Sequence, residues 1–102
     1  MAENIEFTVE EGTNNSRDVT VYALSTCGFC KACLKFLHDN DVAFKYVYFD
    51  LLDENVKDQL KENLKETFNE RVMFPFVIFD DKDVIVGFKR ERMKEMLNIK
   101  EE

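Results

Sequence analysis

The chain has no tryptophan, one proline, one histidine and three glycines, and its three cysteines fall together at Cys27, Cys30 and Cys33. So little glycine and proline argues against a collagen-like or low-complexity chain. An odd, clustered set of cysteines does not match the even, dispersed framework of a secreted disulfide scaffold, and in a reducing compartment it points to redox chemistry or metal. No apolar run approaches the roughly 20 residues of a membrane-spanning helix. The leading stretch MAENIEFTVEE lacks both the basic start and the apolar core of an export signal. Positive charge is also scarce: 14 Lys and Arg stand against 21 Asp and Glu, giving a net charge of −7. Such a field repels phosphate backbones and anionic lipid. A cytoplasmic protein is expected, with neither nucleic acid nor membrane as partner.

What is present argues for a packed interior. The chain of 102 residues is 45% hydrophobic with ten Phe, enough for one compact domain and too short for two. Ile5-Glu6-Phe7-Thr8-Val9 alternates apolar and polar positions and reads as a short edge strand or a frayed tail. Gly12-Thr13-Asn14-Asn15-Ser16 reads as a linker. Residues 1–18 are therefore taken as an N-terminal extension and 19–102 as the domain. Val19-Thr20-Val21-Tyr22-Ala23-Leu24 is nearly continuous in apolar and β-branched character, as in a strand covered on both faces. Cys30, Cys33, Leu34 and Leu37 then fall at the i, i+3, i+4, i+7 spacing of an amphipathic helix, predicted over 28–40. Residues 43–49 form a second strand, and Val56, Leu60, Leu64 and Phe68 mark a second helix. Phe76–Phe79 and Val84–Val86 flank Asp80-Asp81-Lys82-Asp83 as a hairpin, and Met93, Met96 and Leu97 mark a last helix. The order β-α-β-α-β-β-α predicts an α/β fold whose small mixed sheet carries helices on its faces.

Cys27 lies where a strand ends and a helix begins. Its sulfur can face unpaired helical N–H groups and the positive end of the helix dipole, which favour thiolate over thiol. Lys31, one turn along, adds a cation on the same side. Cys27 is thus expected to be the nucleophile, ionising below the usual thiol value of about 8.5. Cys30 follows at a separation compatible with a disulfide, with Gly28 easing the backbone between them. In this reading Cys27 attacks a substrate disulfide, Cys30 resolves the mixed disulfide, and a reversible Cys27–Cys30 bond is the redox-active centre. Cys33 lies in the apolar stripe and reads as a small buried hydrophobe, or alternatively as a redox-sensitive extra thiol.

Metal readings fit less well. The run C-x2-C-x2-C covers three positions of a bacterial ferredoxin motif, but the fourth falls at Leu37 and no further Cys exists. Zinc through the three cysteines and His38 fails because His38 lies about 140° around the helix from Cys33. His38 reads as a surface histidine near a helix C-terminus. No resident metal or cofactor is expected from these spacings.

A C-x-x-C at a strand-to-helix junction, with the only Pro following much later at the start of a strand, is a more specific signal than the motif alone. With VTVYALSTCGFCKACLKFL (19–37), FPFVIF (74–79) and VIVGFKRERMKEML (84–97), the chain resembles the glutaredoxin branch of the thioredoxin superfamily from Val19 to Leu97. The resemblance implies a thioredoxin-like fold and a small dithiol oxidoreductase that reduces protein disulfides. It also implies a cis bond between Phe74 and Pro75, with Pro75 against the cysteine pair and the Phe74 backbone open to substrate. Candidate substrate contacts are Thr26, Gly28, Phe29, Phe74, Pro75, Gly87, Phe88, Lys89 and Arg90. Glutathione-using members usually carry a Lys three residues before the first Cys and a Gly-Gly with acidic residues after the last strand. Here those places hold Leu24 and Gly87-Phe88-Lys89-Arg90-Glu91, which look more like redoxins recharged by a thioredoxin-type reductase than by glutathione. Lys89, Arg90 and Arg92 open a helix in an acidic chain and suggest an anionic peptide tail or small acidic thiol as partner. The triplet Cys-Gly-Phe resembles monothiol relatives that hold an iron–sulfur cluster, so the alternative is a [2Fe–2S] carrier, dimeric when loaded. The expected state without a cluster is a monomer.

Overall fold

The computed structural model describes residues 5–100. The chain forms β1 (Thr8–Glu10), β2 (Val19–Ala23), α1 (Gly28–Asp39), β3 (Phe44–Tyr48), a single 3-10 turn (Phe49–Leu51), α2 (Glu54–Phe68), β4 (Phe76–Phe79), β5 (Asp83–Val86) and α3 (Arg90–Leu97). The strands join in one sheet of order β1-β3-β2-β4-β5. Only β2 and β3 run parallel, and the other three pairings are antiparallel. The α/β fold with a mixed sheet follows from the sequence pattern; the 3-10 turn was not read from it. The edge strand expected over Ile5–Val9 lies at Thr8–Glu10, where it pairs with β3.

Every residue of β2 is buried, because alternate side chains enter opposite layers. Val19, Val21 and Ala23 join Val77 and Phe79 of β4 in the core shared with α1 and α3, which contribute Cys30, Cys33, Leu37, Met93 and Leu97. Tyr22, Phe76 and Ile78 face the other way, against Leu60 and Leu64 of α2. Helices therefore cover both faces of a sheet whose two strands β2 and β4 are buried throughout. The hairpin turns through Asp80 and Asp81, with φ of 58° and 57°, a left-handed conformation that aspartate tolerates better than most residues.

The segment between β1 and β2 binds the domain closely. Asn14 N–H donates to the Asp41 carbonyl and its own carbonyl accepts from Ala43 N–H, each at 2.9 Å. Arg17 pairs with Asp80 and Asp83 at 2.8 Å each and lies over the Phe79 ring. No helix among the described residues is long and apolar enough to cross a membrane.

Candidate active site

β2 ends at Ala23, and the chain turns once before α1 begins, with Cys27 N–H donating to the Leu24 carbonyl at 3.3 Å. Cys27 is the N-cap of α1, with extended backbone angles (φ −96°, ψ 119°) and a sulfur that accepts the Cys30 N–H at 3.1 Å. A sulfur thus satisfies a backbone donor at a position usually filled by Ser, Thr, Asp or Asn. Cys27 is partly exposed, whereas Cys30 and Cys33 are buried, and all three are free thiols.

The two ends of the C-x-x-C pair therefore differ. Burial, followed by contact with Cys27, pushes the Cys30 thiol up to about 12, and Leu24 N–H points at its sulfur from 3.5 Å. The Cys33 thiol is also pushed up to about 12, chiefly by burial. It touches the Met93 sulfur at 4.0 Å and packs as a core side chain. Lys31 is exposed on the first turn, and its backbone N–H donates to the Cys27 carbonyl at 3.1 Å. Gly28 has no positive φ, and a Cβ built there meets nothing within 4 Å. Its backbone is thus ordinary helix, unlike the easing role expected of it, and its missing side chain leaves the surface beside Cys27 open. Thr26 and Phe29 are exposed on either side, Phe29 to 74%. His38 is exposed in the last turn of α1, away from the pair.

The Phe74–Pro75 peptide bond is cis. Tyr22 pairs with Phe76 at the end of the β2–β4 ladder, so the next step of that register brings Pro75 beside Ala23, at the end of β2 that feeds Cys27. Gly87 donates its N–H to the Pro75 carbonyl at 2.8 Å, and its φ of +88° requires glycine. Phe88 packs on Phe36 of α1 with ring centroids 5.8 Å apart, while the Arg90 guanidinium lies 5.3 Å over the same ring. Lys89 is exposed and is the N-cap of α3 rather than its first residue. Sheet register therefore brings Pro75, and Gly87 through its bond to Pro75, toward the end of the sheet where α1 begins with Cys27, whereas Phe88 and Arg90 lie against Phe36 farther along α1.

Sequence reasoning missed three neighbours. Ser25, in the turn before Cys27, donates from its N–H (2.9 Å) and hydroxyl (2.5 Å) to the Asp50 carboxylate, which is thereby held below the usual carboxylate range. The pair ties the cysteine loop to the 3-10 turn after β3. Met73 and Leu51, 52% and 70% exposed, add apolar surface beside Phe74 and Asp50. An acid placed immediately after a strand parallel to the one feeding the cysteines was the available signal for Asp50.

The glutaredoxin family model matches residues 19–84. The chain belongs to the glutaredoxin family. This glutaredoxin is similar in structure to a glutaredoxin from Methanosarcina mazei (35% identity over 93% of this chain and 90% of that one, TM-score 0.78). Methanoredoxin from Methanosarcina acetivorans is 40% identical over 80% of this chain and 85% of its own, with a TM-score of 0.74. A glutaredoxin from Archaeoglobus fulgidus is 28% identical over 80% and 87%, with a TM-score of 0.70. No curated protein matches the chain. Among the described residues no three Cys, His, Asp or Glu side chains are grouped to hold a metal ion.

Proposed function

We propose that this glutaredoxin reduces protein disulfides through Cys27 and Cys30. The observation that carries the reading is the asymmetry of the pair: a partly exposed sulfur receives a helical N–H at 3.1 Å, and its partner one turn on is buried. An N–H aimed at sulfur favours negative charge there. The buried thiol, pushed up to about 12, stays protonated until its turn comes. Cys27 thiolate attacks one sulfur of the substrate disulfide, the S–S bond breaks, and the other substrate sulfur leaves as thiolate. Cys30 then surrenders its proton and attacks Cys27, releasing the second substrate thiol. The substrate gains two electrons and two protons, one from Cys30 and one from water, and the protein is left with a Cys27–Cys30 disulfide.

Thr26, Gly28, Phe29, Phe74, Pro75, Gly87, Phe88, Lys89 and Arg90 are proposed to contact the substrate, with Lys31 supporting the thiolate. Leu24 and Gly87-Phe88-Lys89-Arg90-Glu91 support recharging by a thioredoxin-type reductase rather than by glutathione; the protein is proposed to work as a monomer in a reducing, cytoplasmic compartment. Cys27→Ser should abolish turnover. Cys30→Ser should arrest the reaction at a mixed disulfide on Cys27, visible as an added substrate mass that dithiothreitol removes. Undiminished turnover by Cys27→Ser refutes the reading. Recharging is tested by comparing the rates at which glutathione and a thioredoxin reductase system reduce the oxidised protein; the reductase should be faster. A visible iron–sulfur absorption in anaerobically purified protein assigns the [2Fe–2S] alternative instead.

A further inference from the structure

The sheet order ends at β5, so one long side of that strand has no strand partner among the described residues. Which backbone groups face it follows from one bond. β4 and β5 pair with Phe76 opposite Val86 and Val77 opposite Ile85, and Gly87 N–H bonds to the Pro75 carbonyl in the same register. In an antiparallel ladder the direction of the backbone groups alternates. Ile85 and Gly87 therefore aim theirs at β4, and Val84 and Val86 aim their N–H and C=O outward.

That edge lies in a groove of about 240 Å³ lined by Glu70, Val84, Ile85, Val86, Lys89 and Arg92. Lys89 and Arg92 are exposed, and none of the ion pairs formed among the described residues involves either. Cations placed on an edge strand commonly prevent pairing with other chains. Here β5 carries no cation; Lys89 and Arg92 come from the start of α3 and flank the backbone groups without replacing them. We propose that the β5 edge, flanked by Lys89 and Arg92, is a docking site for an extended acidic peptide segment, which adds as a sixth strand and sets its carboxylates on the two cations. Main-chain hydrogen bonds to Val84 and Val86 supply register, and charge supplies selectivity. The strand leads through Gly87 to Pro75, so a bound segment approaches the redox end. Selection of protein disulfides by this route rests on the proposed reductase activity; binding of the segment does not.

The test therefore uses a peptide without cysteine. An N-acetylated, C-amidated octapeptide alternating Glu and Thr is titrated into the isotope-labelled, reduced full chain, and amide shifts and hydrogen exchange are followed. Val84 and Val86 amides should shift and gain protection, and binding should weaken as salt rises. The same peptide with N-methyl groups on alternate amides, or with Lys for Glu, should bind at least about tenfold more weakly. Val86→Pro removes one outward donor while sparing the bonds to β4, and Arg92→Glu removes one cation; each should lower affinity. Equal binding of the N-methylated peptide to the unaltered chain overturns strand addition, equal binding of the Lys peptide overturns the charge argument, and no binding overturns the proposal. Loss of disulfide reduction in Cys27→Ser with peptide binding intact separates the two claims.

Discussion

At the scale of single residues, burial sets the pH response of this protein. Cys30 and Cys33 are each pushed up to about 12, as is Tyr22, chiefly by burial. In the unfolded chain thiols ionise near 8.5 and tyrosine near 10. Each of these folded values is raised, so its stabilisation is complete below the unfolded value and is lost as pH climbs toward the folded one. Thermal stability should therefore fall between about pH 8.5 and 12. Cys33→Ala should shallow that fall while leaving turnover in place, because Cys33 is buried and packs on Met93. A turnover defect as large as that of Cys30→Ser would instead make Cys33 a working thiol. Asp50 has the opposite sign. Its folded value is lowered by Ser25, so its contribution is present above about pH 4 and lost as pH falls through the folded value. Asp50→Asn should flatten the acid limb of a stability profile and slow disulfide reduction by loosening the loop ahead of Cys27; an unchanged rate would limit Asp50 to stability. Cys27 and Cys30 were legible in sequence because their chemistry is local, set by a strand running into a helix. Asp50, Leu51 and Met73 were not, because they reach the site only through a parallel crossover and a neighbouring loop.

At the scale of elements, the segment before β2 behaves as part of the sheet. β1 adds a fifth strand to β3, and Asn14 bridges Asp41 and Ala43 while its side chain reaches the Leu97 carbonyl at 3.2 Å. Gly12 makes the close passage possible: a Cβ there would stand 2.5 Å from the Asp41 carbonyl oxygen. Gly12→Ala should therefore displace the segment and cost about 1–3 kcal/mol in urea unfolding. A loss below about 0.5 kcal/mol would mean that the segment is dispensable to the fold. The four strands and three helices from β2 onward were legible from periodicity and turn signals. β1 was ambiguous because the five alternating residues Ile5–Val9 are too few to distinguish a strand from a tail, and its partner lies more than thirty positions away at Phe44–Tyr46. The start of α3 moved for a related reason. Lys89 has no helical periodicity to place it, and its backbone is extended, at φ −118° and ψ 90°.

At the scale of the whole molecule, the net charge of −7 opposes the approach of an acidic substrate, and local cations must outweigh it near the site. Lys89 is the cation best placed to do so: it is exposed, it precedes α3, and it follows the Gly87–Phe88 pair that adjoins Pro75 and Phe36. Arg90 is already occupied, stacked on Phe36. Screening separates a charge effect from a shape effect, because exposed charges interact over about 10 Å at 0.1 M salt and about 3 Å at 1 M. Lys89→Glu should slow reduction of a disulfide flanked by acidic residues several-fold at low ionic strength, mainly through association. The defect should shrink as salt rises, and a substrate flanked by neutral residues should be nearly unaffected. A defect that persists unchanged at 1 M salt would place the role of Lys89 in the geometry of the α3 start, and no defect at any ionic strength would remove it from substrate recognition.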